Sequence, residues 1–233
     1  GLWQDKRMST PTTREWLQTL VAFDTTSRNS NLHLIEHVRD ALAALGVQAQ
    51  LFKSPDGAKS NLFATLPARD GSTQGGIVLS GHTDVVPVDG QTWNTDPFAL
   101  TEIDGKLYGR GTSDMKGAVA SFTAAANFFA KDTARDFPGE IYIAGVVHEE
   151  CFEGVAARSV SEIVKPDYVV IGEASLCNLK IGQRGRAEIV VETFGVPAHS
   201  ANPEKGVNAV YSMCKVVEAI RSLKPVEHPV LGK

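Results

Sequence analysis

Residues 76–87 read GIVLSGHTDVVP, and this stretch decides the fold. It begins with GIVL, a short apolar run that is typical of a strand covered on both faces. His82 and Asp84 follow the run after Ser80 and Gly81. In extended backbone, side chains two residues apart point to the same side, so Asp84 can support the imidazole of His82. The stretch therefore predicts a buried strand over residues 76–79 that ends in polar side chains.

Three further segments place acidic residues after an apolar run or in a glycine-rich loop. They are GRGTSDMKG at 109–117, with Asp114; VVHEECFEG at 146–154, with Glu149 and Glu150; and VVIGEAS at 169–175, with Glu173. In open α/β sheets, ligands bind outside the carboxyl ends of the strands. A histidine and several carboxylates gathered at that edge would form a ligand set for divalent metal ions.

Each of these residues also has an ordinary structural explanation. Asp114 alone would most often be the N-cap of a helix. Glu173 alone would most often be a loop carboxylate, and adjacent glutamates such as Glu149 and Glu150 are usually a solvated pair. The segments favour a metal site only when they are taken together and in this order.

The rest of the sequence alternates between helical and extended patterns. Helices are predicted over four segments, 12–23, 31–45, 116–130 and 156–164. Strands are predicted over 61–66, 76–79, 140–147 and 168–171, and the second and last of these are continuously apolar. This alternation predicts an α/β fold in which a mostly parallel central sheet is flanked by helices.

The pattern changes near Gly182. The segment IGQRGRAEIVVETFG at 181–195 predicts a longer strand, and a helix follows over about 207–223. We therefore predict that residues 1–181 are the N-terminal part of a catalytic domain and residues 182–233 the first part of a second domain. One strand and one helix cannot bury their apolar faces alone, so we expect further residues to complete the second domain.

The composition argues against several classes of partner and location. The chain has 233 residues, of which 42% are hydrophobic and 21% charged, an ordinary balance for a globular protein. A formal charge of −4 predicts no nucleic-acid binding and no polybasic membrane contact. We find no apolar run of the ~18 residues that a transmembrane helix needs, and no signal peptide is recognised. The three cysteines show no CxxC spacing, which predicts a reducing, cytoplasmic location without a disulfide framework.

The four segments, in this order, resemble the M20 metallopeptidase family. The resemblance rests on SGHTDVVPVDGQTWNTDPFALTEIDGKLYGRGTSDMKG at 80–117, HEE at 148–150, IGEAS at 171–175 and AHSANPEKGVNAV at 198–210. More narrowly, the chain is similar to the acetylornithine deacetylase and succinyl-diaminopimelate desuccinylase branch, and VAFDTTSRNSNL at 21–32 supports this. The resemblance runs from about residue 16 to the end of the sequence.

The resemblance implies two Zn²⁺ ions per subunit, with Co²⁺ or Mn²⁺ as substitutes that such ligands also accept. It implies that His82 and Glu173 bind one ion, that Asp114 bridges both ions, and that Glu150 binds the second. It further implies that Glu149 is the general base and that Asp84 supports His82. The family uses one more ligand, a C-terminal histidine on the second ion, and His228 does not stand in a matching context.

The family's fold and activity follow from the same resemblance. It implies a zinc-exopeptidase-like catalytic domain and an α+β, ferredoxin-like lid that forms a homodimer. His199, in the lid, would stabilise the oxyanion at the neighbouring subunit's site. The implied reaction is hydrolysis of an N-acyl amino acid by metal-activated water, with N-acetylornithine, a precursor in arginine biosynthesis, as the leading substrate. N-succinyl-diaminopimelate, another N-acyl amino acid or a dipeptide are the alternatives.

Two hypotheses from other classes stay open at this point. A relative that kept the fold and lost catalysis would act as a binding protein, and loss of Glu149 or of a metal ligand would mark it. A cysteine hydrolase would pair Cys151 with His148, although their spacing on an extended strand end makes the pairing poor. Relatives often have an aspartate where this chain has His148, which bears on the substrate more than on the reaction class.

Overall fold

The computed structural model describes residues 10–71, 75–131, 140–147, 149–151, 158, 162, 164–182, 185 and 187–230. The chain divides into two compact units, Gly1–Ala174 and Ser175–Lys233. The domain boundary expected between residues 181 and 182 stays a prediction. Among the described residues, no helix is both long enough and apolar enough to cross a membrane.

Three helices of the first unit form where helical spacing predicts them. They are α1 (Thr13–Val21), α2 (Leu32–Ala43) and α3 (Lys116–Lys131). Helix α1 begins with a capping box: the Glu15 amide donates to the Thr12 hydroxyl at 3.3 Å, and the Thr12 amide donates to the Glu15 carboxylate at 2.7 Å. This exchange satisfies backbone donors that a helix start leaves without intrahelical partners. The predicted helix over 156–164 lies largely outside the described residues.

The strands of the first unit form a five-stranded sheet and a small hairpin. In chain order they are β1 (Gln48–Lys53), β2 (Ser60–Leu66), β3 (Ile77–His82), β4 (Thr101–Ile103), β5 (Lys106–Tyr108), β6 (Ile141–Val146) and β7 (Tyr168–Ile171). The sheet has the order β1-β2-β6-β3-β7, and β4 pairs with β5 in the hairpin. Asp104 and Gly105, both with positive φ, make the two-residue turn of that hairpin.

The sheet is mixed, so the prediction of a mostly parallel sheet is wrong. Strand β3 is parallel to β6 and to β7, whereas β2 is antiparallel to both β1 and β6. The antiparallel part arises because a short connection over residues 54–59 folds β2 back on β1. Strand β1 reads QAQLFK, and its many polar residues left it without a strand prediction.

Helices α2 and α3 pack on one face of the sheet, and the main core lies between the helices and that face. Helix α2 packs against β1 and β2, α3 packs against β3 and β6, and α1 packs against α3. The buried residues of this core include Leu20, Leu34, Leu62 and Ala120. On the opposite face, Phe63 stacks on Tyr142 with ring centroids 5.3 Å apart.

Strand β7 differs from its prediction as a strand covered on both faces. Tyr168 and Ile171 are 72% and 60% exposed. The physical reason is its place at the edge of the sheet, where β3 is its partner. The continuously apolar sequence therefore predicts the strand correctly, but the prediction that both faces of the strand are covered is wrong.

The second unit contains helix α4 (Ala209–Arg221), preceded by a short 3-10 helix, Pro203–Lys205. Asn208 caps α4 by accepting a hydrogen bond from the Val210 amide at 2.9 Å. Residues 187–195 are not a strand, contrary to the prediction, and the only bridge nearby joins Val196 to Val207 within the described residues. An extended segment needs partner strands to be stable, and the described part of this unit offers none. A lid domain is therefore not seen.

Candidate metal centre

Three neighbouring parallel strands bring the predicted segments to one edge of the sheet. His82 is the last residue of β3, and Val146, the last residue of β6, is its partner in register. Glu149 and Glu150 follow β6, and Glu173 follows β7 after one glycine. Because β6, β3 and β7 run in the same direction, their carboxyl ends meet at this edge.

Asp114 reaches the same place from the loop that precedes α3. Gly111 allows the turn, because its φ of +85° is a conformation that other residues rarely adopt. Its carbonyl accepts a hydrogen bond from the Lys116 amide at 2.8 Å, which closes the loop. The loop places Asp114 Oδ1 2.9 Å from His82 Nε2.

His82 is the centre of the cluster and is buried, with 1% of its side chain exposed. Its Nδ1 lies 2.9 Å from the carbonyl oxygen of Asp84. A carbonyl can only accept, so Nδ1 carries a proton. The other ring nitrogen, Nε2, points toward the carboxylates. Nε2 is 3.5 Å from Glu173 Oε2 and 3.8 Å from Glu149 Oε2, in addition to its contact with Asp114.

Burial and the carboxylates around His82 shift the pKa values of His82, Glu149 and Glu150. Burial alone would lower the pKa of His82, but the Asp84 carbonyl and the charges of Asp84, Asp114 and Glu149 outweigh burial and raise it. Burial and the neighbouring carboxylates likewise raise the pKa of Glu149. The same causes, with Asp114 the largest charge, raise the pKa of Glu150 to about 7. The site thus stabilises protons, or another cation, in its interior.

The residues fit a divalent metal centre. Two groups of ligand atoms, from His82, Glu149 and Glu150 and from His82, Asp114 and Glu173, each lie within 4.8 Å of one another. Nε2 faces a carboxylate oxygen at 2.9 Å, and this contact needs a proton or a metal cation between the two atoms. Imidazole nitrogen and carboxylate oxygen together suit zinc, cobalt and manganese. The ligand roles themselves stay predictions.

Asp84 lies in the cluster in a different way from the one expected. Its carboxylate is 3.6 Å from His82 Nδ1, and it is the backbone carbonyl that makes the close contact. The carboxylate instead accepts from the amides of Glu149 and Glu150, at 3.4 and 3.3 Å. Asp84 therefore contacts both the histidine and the glutamate pair.

Two polar contacts of the first unit were not found from the sequence. The Ser27 hydroxyl donates to Asp84 Oδ2 at 3.1 Å. Lys116 is fully buried, and its ammonium donates to the carbonyl of Phe23 at 2.7 Å. Burial lowers the pKa of Lys116 to about 7, and the charge of Asp24 offsets only part of this. The sequence signal for Lys116 is its position two residues after Asp114. The helical pattern accounts for Lys116 only as the first residue of a predicted helix.

Two further residues named from the sequence, His199 and Cys151, do not belong to the groups of ligand atoms around His82. His199 belongs to the second unit and is exposed. Cys151 is an exposed free thiol that follows Glu150. His148 lies outside the described residues, so its suggested pairing with Cys151 stays open.

Comparison with known families matches residues 78–231 to Peptidase family M20/M25/M40. This chain belongs to that family. The resemblance seen in the sequence is thereby confirmed. Membership in the M20 family implies a metallohydrolase with a dinuclear metal site, and the cluster around His82 supplies candidate ligands for it.

Curated relatives in the M20 family support the same assignment. The acetylornithine deacetylase of Proteus mirabilis (strain HI4320) is 35% identical over 210 residues, which cover 87% of this chain and 51% of the relative. The acetylornithine deacetylase of Vibrio vulnificus (strain CMCP6) is 36% identical over 198 residues, which cover 83% of this chain and 50% of that relative. The chain spans about half the length of the curated relatives that it matches.

A solved M20 structure shares the fold. The M20 family metallo-carboxypeptidase Sso-CP2 of Sulfolobus solfataricus is 19% identical, with a TM-score of 0.66 over 89% of this chain and 49% of the other. This likeness concerns the α/β fold, with its mixed sheet and flanking helices.

Proposed function

We propose that this chain carries the metal-binding part of a zinc-dependent amidohydrolase that cleaves the amide bond of an N-acyl amino acid. One observation carries the proposal: a buried imidazole and four carboxylates, from three strand ends and one loop, converge at a single edge of the sheet. N-acetylornithine is the leading substrate, because moderately similar relatives are named acetylornithine deacetylases. The products would be acetate and a free amine.

Four side chains would hold the two zinc ions. His82, Asp114 and Glu173 would bind one ion, and Glu150 would bind the second, with Asp114 shared between them. One group of neighbouring ligand atoms, from His82, Asp114 and Glu173, supports the first ion site, and the other places Glu150 beside His82 and Glu149. The sharing of Asp114 rests on the family resemblance. Bound divalent ions supply Lewis acidity, which makes water more acidic and polarises an amide carbonyl.

Glu149 would be the general base. Its side chain is 50% exposed, so it can meet a substrate, while its Oε2 stays 3.8 Å from His82 Nε2. The raised pKa of Glu149 brings the carboxylate closer to the pH at which it must exchange protons. Glu149 would take a proton from the attacking water and deliver it to the leaving nitrogen.

His199 would act in a homodimer. The amide of Ala201 donates to His199 Nδ1 at 3.1 Å, so a neutral imidazole carries its proton on Nε2. That N–H is a suitable donor for a developing oxyanion. We propose that it serves the active site of the neighbouring subunit, in a cytoplasmic enzyme that acts on small molecules and not on nucleic acid.

The test uses the full-length protein, stripped of metal and titrated with zinc, with N-acetylornithine, N-succinyl-diaminopimelate and a dipeptide assayed in parallel. We expect zinc to restore deacetylation. Glu149→Ala should lower kcat by about 10²–10⁴-fold while zinc still binds, as expected for loss of a general base. The matched control is Glu204→Ala, which removes an exposed carboxylate of the second unit and should leave kcat unchanged.

Other results would replace the proposal. Zinc binding without hydrolysis of any of the three compounds would favour a binding protein or a different acyl group. Activity that survives chelation and is lost on alkylation would favour a thiol hydrolase at Cys151. Preference for a dipeptide would favour the peptidase alternative, which a likeness to human carnosine dipeptidase 1 supports, at 28% identity and a TM-score of 0.54 over 79% of this chain and 41% of that one.

A further inference from the structure

The Asp84 carboxylate is fully buried and is shared among three donors. Oδ1 accepts from the Glu149 amide at 3.4 Å, and Oδ2 accepts from the Glu150 amide at 3.3 Å. Both distances exceed the usual range of about 2.7–3.2 Å for an N–H···O bond. The third donor, the Ser27 hydroxyl, is closer, at 3.1 Å from Oδ2.

The hydroxyl of Ser27 has one hydrogen to give and two candidate acceptors. Asp84 Oδ2 is 3.1 Å away, and the carbonyl oxygen of Val85 is 3.4 Å away. A charged carboxylate is the stronger acceptor as well as the nearer one. Ser27 therefore donates to Asp84, and this bond limits rotation of the carboxylate against the two amides.

The backbone of Ser27 is fixed on both sides. Its amide donates to the Val85 carbonyl at 3.0 Å, and the Val85 amide donates to the Thr25 carbonyl at 3.1 Å. The buried ammonium of Lys59 donates to the carbonyls of Ser27 and Asn29, at 2.5 and 2.7 Å. These bonds tie the loop to the start of β2 and to the segment after β3, so the hydroxyl is presented from a fixed support.

The same loop is also braced from within. Asp24 accepts hydrogen bonds from the Thr26 amide and hydroxyl, at 3.0 and 2.6 Å, and from the Asn29 side chain at 3.0 Å. Asn31, buried at the end of the loop, donates to the Ser60 carbonyl at 2.9 Å. A loop with so many internal bonds holds its geometry without help from Ser27.

We propose that Ser27 is a positioning residue for the metal centre. Its hydroxyl holds the Asp84 carboxylate against the amides of Glu149 and Glu150, and this orients the proposed base and the proposed ligand together. The inference rests on the proposed function, because it assigns roles to those two glutamates. Loss of a partner that orients metal ligands typically costs 10–100-fold in metal affinity or activity.

The experiment compares Ser27→Ala with Ser30→Ala. Ser30 is on the same loop and is exposed, and its hydroxyl accepts from the Leu32 amide without contact with Asp84. Zinc affinity is measured by chelator competition, ligand geometry by the visible absorption of the Co²⁺-loaded protein, and kcat and KM with N-acetylornithine. We expect Ser27→Ala to weaken zinc binding by about 10–100-fold and to lower kcat more than it raises KM. Ser27→Thr, which keeps the hydroxyl, should recover most of the loss.

A double-mutant cycle tests whether Ser27 acts through Asp84. Asp84→Asn alone should weaken zinc binding. The side-chain NH2 of asparagine is a donor, and it would face the donor N–H of Glu149 or Glu150. In the Asp84→Asn background, Ser27→Ala should then cost little more, because residues that act through one contact are not additive. Equal zinc affinity and equal Co²⁺ spectra for Ser27→Ala and Ser30→Ala would overturn the inference. So would a Ser27→Ala effect that persists undiminished beside Asp84→Asn.

The metal readouts separate this inference from the proposed function. If the wild-type protein binds zinc but hydrolyses none of the substrates, the proposed function fails while the zinc affinities and Co²⁺ spectra still decide the role of Ser27. Thermal unfolding of the metal-free variants is recorded alongside. Because the loop keeps its other hydrogen bonds in both alanine variants, we expect both to fold and to unfold at similar temperatures.

Discussion

At the scale of single residues, the Glu150 carboxyl links metal binding to pH. Burial and the charge of Asp114 raise its pKa to about 7, and the carboxyl must lose its proton before it can bind a cation. Below pH 7, the protonated fraction rises, so zinc affinity should fall by up to about tenfold per pH unit. The raised pKa of His82 acts in the same direction.

A zinc titration of the metal-free protein between pH 5.5 and 8 checks this prediction, with buffers of different ionisation enthalpy to count released protons. Glu150→Gln should bind zinc more weakly and show a shallower pH dependence, while His82 keeps part of the slope. Zinc affinity that does not change with pH below 7 would contradict the assignment of Glu150.

The residues found from the sequence and those missed differ in how far their partners lie along the chain. His82 and the four carboxylates stand at strand ends or before a helix, and these local signals are visible in the sequence. Ser27 and Lys116 matter through Asp84 and Phe23, which are 57 and 93 positions away. No local pattern encodes such pairs, because they depend on which loops the folded sheet brings together.

At the scale of elements, Gly76 controls how β3 enters the sheet between β6 and β7. Its φ is +81°, and a Cβ atom there would lie 2.2 Å from the carbonyl oxygen of Glu140. The next residue, Ile77, donates to that same carbonyl at 2.8 Å, and the Gly76 carbonyl accepts from the Tyr168 amide at 3.1 Å. A side chain at this position must therefore disturb the pairing of all three strands.

We predict that Gly76→Ala lowers the free energy of unfolding by about 3 kcal/mol or more, from backbone strain and steric overlap together. The control is Gly57→Ala, which has a φ of +71° and no atom within 4 Å of the added Cβ. It should cost only the backbone strain, about 1 kcal/mol. Urea unfolding followed by tryptophan fluorescence measures both variants, and equal losses would show that the overlap is relieved elsewhere.

At the scale of the whole molecule, metal binding should stabilise the first unit. A ligand that binds only the folded state adds about 2.7 kcal/mol when its concentration is 100 times its Kd. For a unit of this size, this corresponds to a rise in Tm of roughly 5–10 °C. The fluorescence of Trp16, which is 3% exposed in the core of this unit, reports the transition.

The measurement compares Tm in excess zinc with Tm in a chelator. Asp114→Asn should abolish most of the difference, since Asp114 belongs to the group of ligand atoms around His82. An identical Tm in zinc and in chelator for the wild-type protein would argue against a metal centre in this unit.

The sequence by itself determined the family, the α/β class, the strand ends that carry the candidate ligands, and the positions of helices α1 to α4. These are local properties, because periodicity, capping and short motifs depend on residues that are close together in the sequence. Only the tertiary structure decided that the sheet is mixed, that β7 lies exposed at its edge, and that the Asp84 carboxylate faces the glutamate amides. Strand direction, edge position and the partners of a buried carboxylate depend on contacts between distant segments, and local spacing carries no information about those contacts.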